Sequence, residues 1–123
     1  MTHRILVVED QEDLREIARL ALEGAGYEVV KAATGAEGIA KAETEHPDLV
    51  VMDIQLPVLD GYESTRRIKA LPGMARTTII AVSSFAMRGD EEKARAVGCD
   101  GYVTKPYSPK QLVDLVRQFL AKN

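Results

Sequence analysis

Aromatic residues and cysteine are scarce in this chain of 123 residues. Tryptophan is absent, aromatic residues make up 5% of the sequence, and Cys99 is the only cysteine. One cysteine excludes an internal disulfide and a cysteine-based zinc site, and we expect Cys99 to be a small buried residue rather than a redox sensor. No apolar run exceeds four residues, which excludes a membrane span and the apolar segment of a signal peptide. These absences favour a cytoplasmic protein without membrane contact.

Positive charge is not in excess either. Lysine and arginine number 16 against 19 aspartates and glutamates, which gives a net charge of −3. Direct binding of nucleic acid is therefore not expected, because phosphate contacts need clustered positive charge. The length predicts one domain over residues 1–123, and the hydrophobic content of 46% is enough for a core without disulfides.

Short apolar runs predict the strands. The clearest lie at residues 5–8, 49–52 and 79–82, and weaker ones lie at Glu28–Ala32 and Gly101–Thr104. The three clear runs are continuous rather than alternating, which is typical of strands buried on both faces of a parallel sheet.

Helical patterns separate the strands. Apolar side chains recur at helical spacing in two stripes, formed by Leu14, Ile17, Ala18, Ala21 and Leu22 and by Leu112, Leu115, Val116, Phe119 and Leu120. Capping residues predict helix starts at Thr34, Asp60 and Ser108, and residues 88–97 predict a thin, exposed helix. The alternation predicts an α/β fold with five parallel strands and five helices on both faces of the sheet.

Polar residues stand directly after the carboxyl ends of the predicted strands, where open parallel sheets bind ligands. They are Glu9, Asp10, Asp53, Ser83, Ser84 and Lys105. Three clustered carboxylates repel one another, and a single lysine does not balance them. A divalent cation with oxygen ligands would resolve the repulsion, and Mg²⁺ is the first candidate. Its open coordination positions would allow a phosphate to bind.

Each of these residues has a structural explanation when taken singly. Asp10 would cap the first helix, Lys105 would be a solvated charge, and Ser83 would belong to a turn. Other phosphate chemistries fit less well, because the first strand is followed by acidic residues rather than by a glycine-rich loop. A haloacid-dehalogenase-type phosphatase needs a second aspartate two residues after Asp53, and Gln55 stands there.

The set of residues resembles the receiver domain of bacterial two-component response regulators over essentially the whole chain. The matching residues are Glu9, Asp10, Asp53 with the following Pro57, Asp60, Gly61, Ser83, Tyr102, Lys105 and Pro106. The resemblance implies the flavodoxin-like, doubly wound five-stranded sheet of chemotaxis-type regulators, with strand order 2-1-3-4-5. A narrower likeness to DivK-type single-domain regulators is carried by the strings Met52-Asp53-Ile54-Gln55-Leu56-Pro57, Phe85-Ala86-Met87-Arg88-Gly89-Asp90-Glu91-Glu92 and Gly98-Cys99.

The resemblance also implies a role for each site residue. Asp53 would accept a phosphoryl group from a histidine kinase or histidine phosphotransfer protein, as carboxylates do in other acyl-phosphate chemistry. Mg²⁺ would be held by Asp10, Asp53 and the backbone carbonyl of Gln55, with Glu9 acting largely through water. The phosphoryl oxygens would be contacted by Lys105, by the Ser83 hydroxyl and by the backbone of Ser84. The Lys105-Pro106 bond would be cis.

A change in partner contacts would then carry the signal. Ser83 would move towards the phosphoryl group with the loop 84–87, and Tyr102 would turn inwards. The expected output face is formed by the fourth helix, the fifth strand and the fifth helix, where a downstream protein would bind. Gln55 and Phe85 flank the acceptor at positions that in the family modulate access of water.

The resemblance predicts a single-domain receiver that acts as a standalone regulator or as a phosphotransfer intermediate in a relay. It would assist its own phosphorylation and dephosphorylation but is not otherwise an enzyme. Three alternatives stay open. The chain is a receiver cut from a larger regulator or hybrid kinase, a pseudo-receiver that binds partners without phosphorylation, or a small Mg²⁺-dependent phosphatase. The complete set Glu9, Asp10, Asp53, Ser83 and Lys105 argues against the pseudo-receiver.

Overall fold

Strands and helices alternate five times along the chain, as the apolar pattern predicts. A computed structural model describes residues 2–84 and 89–121. The elements, in chain order, are β1 (Arg4–Val8), α1 (Glu12–Gly24), β2 (Glu28–Ala32), α2 (Gly35–Glu45), β3 (Leu49–Asp53), α3 (Gly61–Lys69), β4 (Thr78–Ser83), α4 (Asp90–Ala96), β5 (Gly101–Thr104) and α5 (Pro109–Leu120). The predicted strands are all present, with bounds that differ by at most one residue.

The five strands form one parallel sheet in the order β2-β1-β3-β4-β5. The three clear apolar runs occupy the three central positions, where β3 and β4 are buried along their whole length. The weaker runs, β2 and β5, form the edges. The sheet therefore confirms the flavodoxin-like doubly wound fold and the strand order implied by the resemblance.

The core consists of two layers, one on each face of the sheet. Because successive strand residues point to opposite faces, Leu6 and Val8 belong to one layer and Ile5 and Val7 to the other. The first layer receives side chains from α2, α3 and α4, and the second receives them from α1 and α5. Cys99 is 5% exposed in the first layer, and its burial raises the pKa of the thiol to about 11, which confirms the expected buried residue.

Helix starts follow the capping residues. Ser108 and Gln111 form a complete capping box at α5, and the side chains of Thr34 and Asp60 accept the Glu37 and Glu63 N–H groups. At α1 the N-cap is Gln11, so the alternative role of Asp10 as a helix cap is wrong.

Two helices depart from or refine the sequence pattern. In α1 the predicted apolar stripe does not wholly face the core, because Ile17 is 47% exposed. The predicted thin helix is α4, of which only Ala94 is buried.

The expectations for Phe85, for the loop 84–87 beyond Ser84 and for Arg88 lie outside the described residues. Within residues 2–84 and 89–121, no helix is long and apolar enough to cross a membrane.

Candidate functional site

The sheet brings three acidic side chains together at its carboxyl edge. Glu9 and Asp10 follow β1, and Asp53 is the last residue of β3. The two strands are neighbours in the sheet, with Val8 of β1 paired to Met52 of β3. One carboxylate oxygen from each of the three residues lies within 4.8 Å of the others. Asp53 and Glu9 are only 2% and 5% exposed, whereas Asp10 is exposed. The cluster therefore has a buried floor and one solvent-facing carboxylate.

Lys105 neutralises part of this buried charge. Its backbone N–H donates to the Ser83 carbonyl at 2.7 Å, which fixes the residue beside the end of β4. Its Nζ donates to Glu9 Oε1 at 2.7 Å and to Asp53 Oδ2 at 3.2 Å. The Lys105-Pro106 peptide bond is cis, as the resemblance implies.

Burial controls the protonation of this cluster. It raises the pKa of the Glu9 carboxyl to about 7, although hydrogen bonds from Lys105 and from the Gln11 N–H oppose the shift. The negative charge of Asp53 adds to the increase. For Lys105, burial lowers the pKa, but the Glu9 hydrogen bond and the Asp53 charge outweigh it and raise the pKa above its ordinary value.

We expect the stability of the metal-free protein to fall as the pH rises through the Glu9 titration. Between the ordinary pKa of 4.5 and the folded value of about 7, the folded state holds a proton that the unfolded state releases. The free energy of unfolding should therefore decrease over this range, by up to about 3 kcal/mol. Urea unfolding from about pH 5 to about pH 7.5, in the presence of a chelator, measures the slope.

Glu9→Gln should remove that part of the slope, because the amide oxygen keeps an acceptor for Lys105 without titrating. Glu12→Gln is the matched control, since Glu12 is exposed in the first turn of α1. Equal slopes for wild type and Glu9→Gln would contradict the assignment of this titration to Glu9.

The acidic cluster fits a hard divalent cation. Carboxylate oxygens are the ligands that Mg²⁺ uses in proteins, usually with several waters retained. When ionised, three carboxylates against the one ammonium of Lys105 leave two negative charges, which is the charge that a divalent cation neutralises. Asp10, at the exposed side of the cluster, leaves an approach from solvent.

Gln55 connects the acidic cluster with the end of β4. Its backbone N–H donates to Asp53 Oδ1 at 3.0 Å. Its side-chain Nε2 donates to Ser83 Oγ at 2.9 Å, and its Oε1 accepts the Ser84 N–H at 2.8 Å. Ser83 is fully buried and Ser84 is exposed. The expected serines therefore lie at the same edge as the carboxylates, and a glutamine side chain holds them there.

Tyr102 lies near the start of β5, three residues before Lys105, and is half-buried against the core layer that α2, α3 and α4 cover. Nearby, Lys93 of α4 places its Nζ 4.4 Å from the ring centre of Tyr62 in α3. This cation–π contact was not anticipated from the sequence, since the two residues are 31 positions apart.

Other contacts were also missed. The side chain of Arg15 donates to the Glu9 carbonyl at 2.9 Å, and the side chain of Gln55 binds both serines. Gln55 was predicted to flank the acceptor because it follows Asp53 by two residues, but no sequence signal indicates which way an amide side chain turns.

Comparison with known proteins gives a consistent family. The response regulator receiver domain matches residues 5–117. The polar-differentiation response regulator DivK of Brucella ovis is 38% identical over 120 residues, which cover 98% of each chain.

Solved structures agree. The chemotaxis protein CheY4 of Vibrio cholerae superposes with a TM-score of 0.92 at 28% identity, covering 96% of this chain and 98% of that one. The receiver domain of the sensor histidine kinase PA1611 of Pseudomonas aeruginosa has a TM-score of 0.90 at 33% identity, covering 98% and 99%. That structure has a magnesium ion coordinated in its active-site cleft.

Proposed function

Because this chain belongs to the response regulator receiver family, we propose that it is a phosphorylation switch with Asp53 as the acceptor. The observation that carries the proposal is the buried Asp53 carboxylate, which lies 3.2 Å from the Lys105 ammonium inside a three-carboxylate cluster. The donor would be a phosphohistidine of a histidine kinase or of a histidine phosphotransfer protein. The output would be a changed set of protein contacts.

The transfer step needs a carboxylate oxygen in line with the phosphorus atom. An Asp53 oxygen forms the new O–P bond while the N–P bond of the phosphohistidine breaks. The electron pair of the N–P bond passes to the imidazole, and the imidazole takes up a proton from solvent if it leaves as an anion. The product is an acyl phosphate on Asp53, and the same carbonyl–oxygen–phosphorus linkage is later hydrolysed by water. The chain acts as a phosphoacceptor rather than a turnover enzyme.

The neighbouring side chains position and neutralise charge, which is the main protein contribution in phosphoryl transfer. Lys105 already contacts Asp53 and would turn its Nζ to the incoming phosphoryl oxygens. Ser83 and the Ser84 N–H would donate to the same oxygens. Mg²⁺, held by Glu9, Asp10, Asp53 and the Gln55 carbonyl, would neutralise phosphoryl charge when bound.

An apolar groove of about 300 Å³ beside the acceptor suits the approach of a donor protein. It is lined by Leu14, Ile17, Lys105, Pro106, Tyr107 and Pro109. Leu14 and Ile17 belong to α1, and this helix exposes further apolar surface, since Ile17 and Leu20 are 47% and 59% exposed. Lys105 belongs both to this groove and to the acidic cluster, so a donor seated here would reach Asp53.

The downstream partner would bind on the face formed by α4, β5 and α5. Tyr102 contributes to this face, where it lines a shallow surface groove with Leu115 and Asp114. The slight burial of α4, through Ala94 alone, supports a helix that adjusts its position when the site is phosphorylated.

Incubation with acetyl phosphate tests the proposal. We expect one phosphoryl adduct per chain by intact-protein mass spectrometry, formed with Mg²⁺, absent with a chelator, and removed by hydroxylamine. Beryllofluoride binding in the presence of Mg²⁺, followed by amide signals, is the second measurement. A chain that gains no adduct and binds no beryllofluoride is a partner-binding pseudo-receiver. Continued turnover of an added phosphomonoester would instead indicate a phosphatase.

A further inference from the structure

The Gln55 side chain joins the acceptor loop to the end of β4 with both of its polar atoms. Nε2 donates to Ser83 Oγ at 2.9 Å, and Oε1 accepts the N–H of Ser84 at 2.8 Å. The backbone of Gln55 is itself tied to the acceptor by its N–H bond to Asp53 Oδ1 at 3.0 Å. One residue therefore couples Asp53 to two successive residues of the next strand.

These bonds engage the groups that the proposed function assigns to the phosphoryl oxygens. A backbone amide carries one proton, so the Ser84 N–H cannot donate fully to Gln55 Oε1 and to a phosphoryl oxygen at once. Ser83 Oγ is also tied, because it accepts from Gln55 Nε2 in a fully buried position. Movement of Ser83 towards Asp53 would lengthen or break this bond.

We infer that Gln55 is a positioning residue that holds Ser83 and Ser84 in their unphosphorylated arrangement, as a latch that the phosphoryl group must displace. The inference rests on the proposed function and assigns a regulatory role to a side chain of the same site. The latch lowers the population of the phosphoryl-binding arrangement in the free protein. A ligand that needs that arrangement binds more weakly in proportion to the population.

Gln55→Leu removes both side-chain hydrogen bonds at nearly constant volume and is the test variant. The probe is beryllofluoride with Mg²⁺, and its affinity is measured by titration calorimetry. We expect roughly three- to tenfold tighter binding than in wild type, the size that the net contribution of one neutral hydrogen bond gives. Thr44→Val, which removes a polar group at nearly constant volume at an exposed position on α2, is the matched control and should leave the affinity unchanged.

A spectroscopic signature separates a latch from a merely structural residue. In Gln55→Leu without beryllofluoride, the amide signals of Ser84 and Tyr102 should move part of the way towards their positions in the beryllofluoride-bound wild type. In the control Thr44→Val they should stay in place. Urea unfolding checks that the variants are folded, and Gln55→Met replaces Gln55→Leu if the latter is not.

Unchanged or weaker beryllofluoride binding by the folded variant, with unmoved amide signals, would overturn the latch. That result leaves the proposed function intact as long as wild type binds beryllofluoride and takes up a phosphoryl group. If wild type does neither, the proposed function itself fails, so the two failures are distinguishable.

Discussion

Replacing Asp53 with asparagine should abolish phosphorylation by acetyl phosphate, at any Mg²⁺ concentration. The carboxamide oxygen is a far weaker nucleophile than a carboxylate, and it brings one fewer negative charge to the cation site. Glu9 and Asp10 remain in the cluster. Neither replaces Asp53, which ends β3 and accepts hydrogen bonds from both the Gln55 N–H and the Lys105 ammonium. Intact-protein mass spectrometry should show the adduct in wild type and none in the variant.

The loss should not come from unfolding. Asp53→Asn removes a charge that repels Glu9, and Lys105 keeps its 2.7 Å contact with Glu9. We therefore expect the variant to unfold at a urea concentration no lower than that of wild type. Asp13→Asn is the control, because Asp13 is an exposed aspartate in the first turn of α1. A full adduct on Asp53→Asn would assign the acceptor to another residue.

Gly61→Ala should cause the largest loss of stability among single substitutions at the edge of the site. A Cβ at position 61 would overlap the Asp53 carbonyl oxygen, and it would lie 2.6 Å from Ile54 Cα and 2.9 Å from the Asp53 carbonyl carbon. These are backbone atoms, so no side chain can rotate away. Overpacking of this kind costs about 1–3 kcal/mol and at times more, and we expect at least the upper part of that range.

The same substitution should also weaken the site. The first residue of α3, Gly61, donates its N–H to the Ile54 carbonyl at 3.0 Å, so relief of the overlap displaces the segment that carries Asp53 and Gln55. Beryllofluoride affinity should therefore fall together with the free energy of unfolding, measured by calorimetry and urea unfolding. Gly24→Ala is the matched control, because a Cβ there meets nothing within 4 Å. A Gly61→Ala protein as stable as wild type would contradict the close approach.

Local patterns in the sequence were sufficient to predict the elements of this fold. Continuous apolar runs identified β3 and β4, since only strands buried on both faces dispense with alternating polar residues. Capping residues such as Ser108 and Asp60 located helix starts because their side chains satisfy N–H groups within the next turn. The apolar stripe of α1 predicted a buried Ile17, and this was wrong. Periodicity indicates which face of a helix is apolar and not how far the sheet extends beneath it.

The candidate site was predictable as a set of residues, because parallel strands deliver whatever follows them to one edge. Glu9, Asp10, Asp53 and Lys105 meet there as expected. The strand order came from resemblance rather than from the residues, since several orders bury the same apolar runs. The roles of these residues in phosphorylation remain predictions that the experiments above test.

The sequence by itself determined which residues are apolar, which can cap, and which charges follow each strand, because these properties are local. Only the tertiary structure decided the partners. The contact of Lys105 with Glu9 joins residues 96 positions apart, and the bonds of Gln55 to Ser83 and Ser84 cross from one strand end to another. Side-chain direction and the pKa of Glu9 depend on burial and on neighbours that the fold brings close, so no local pattern encodes them.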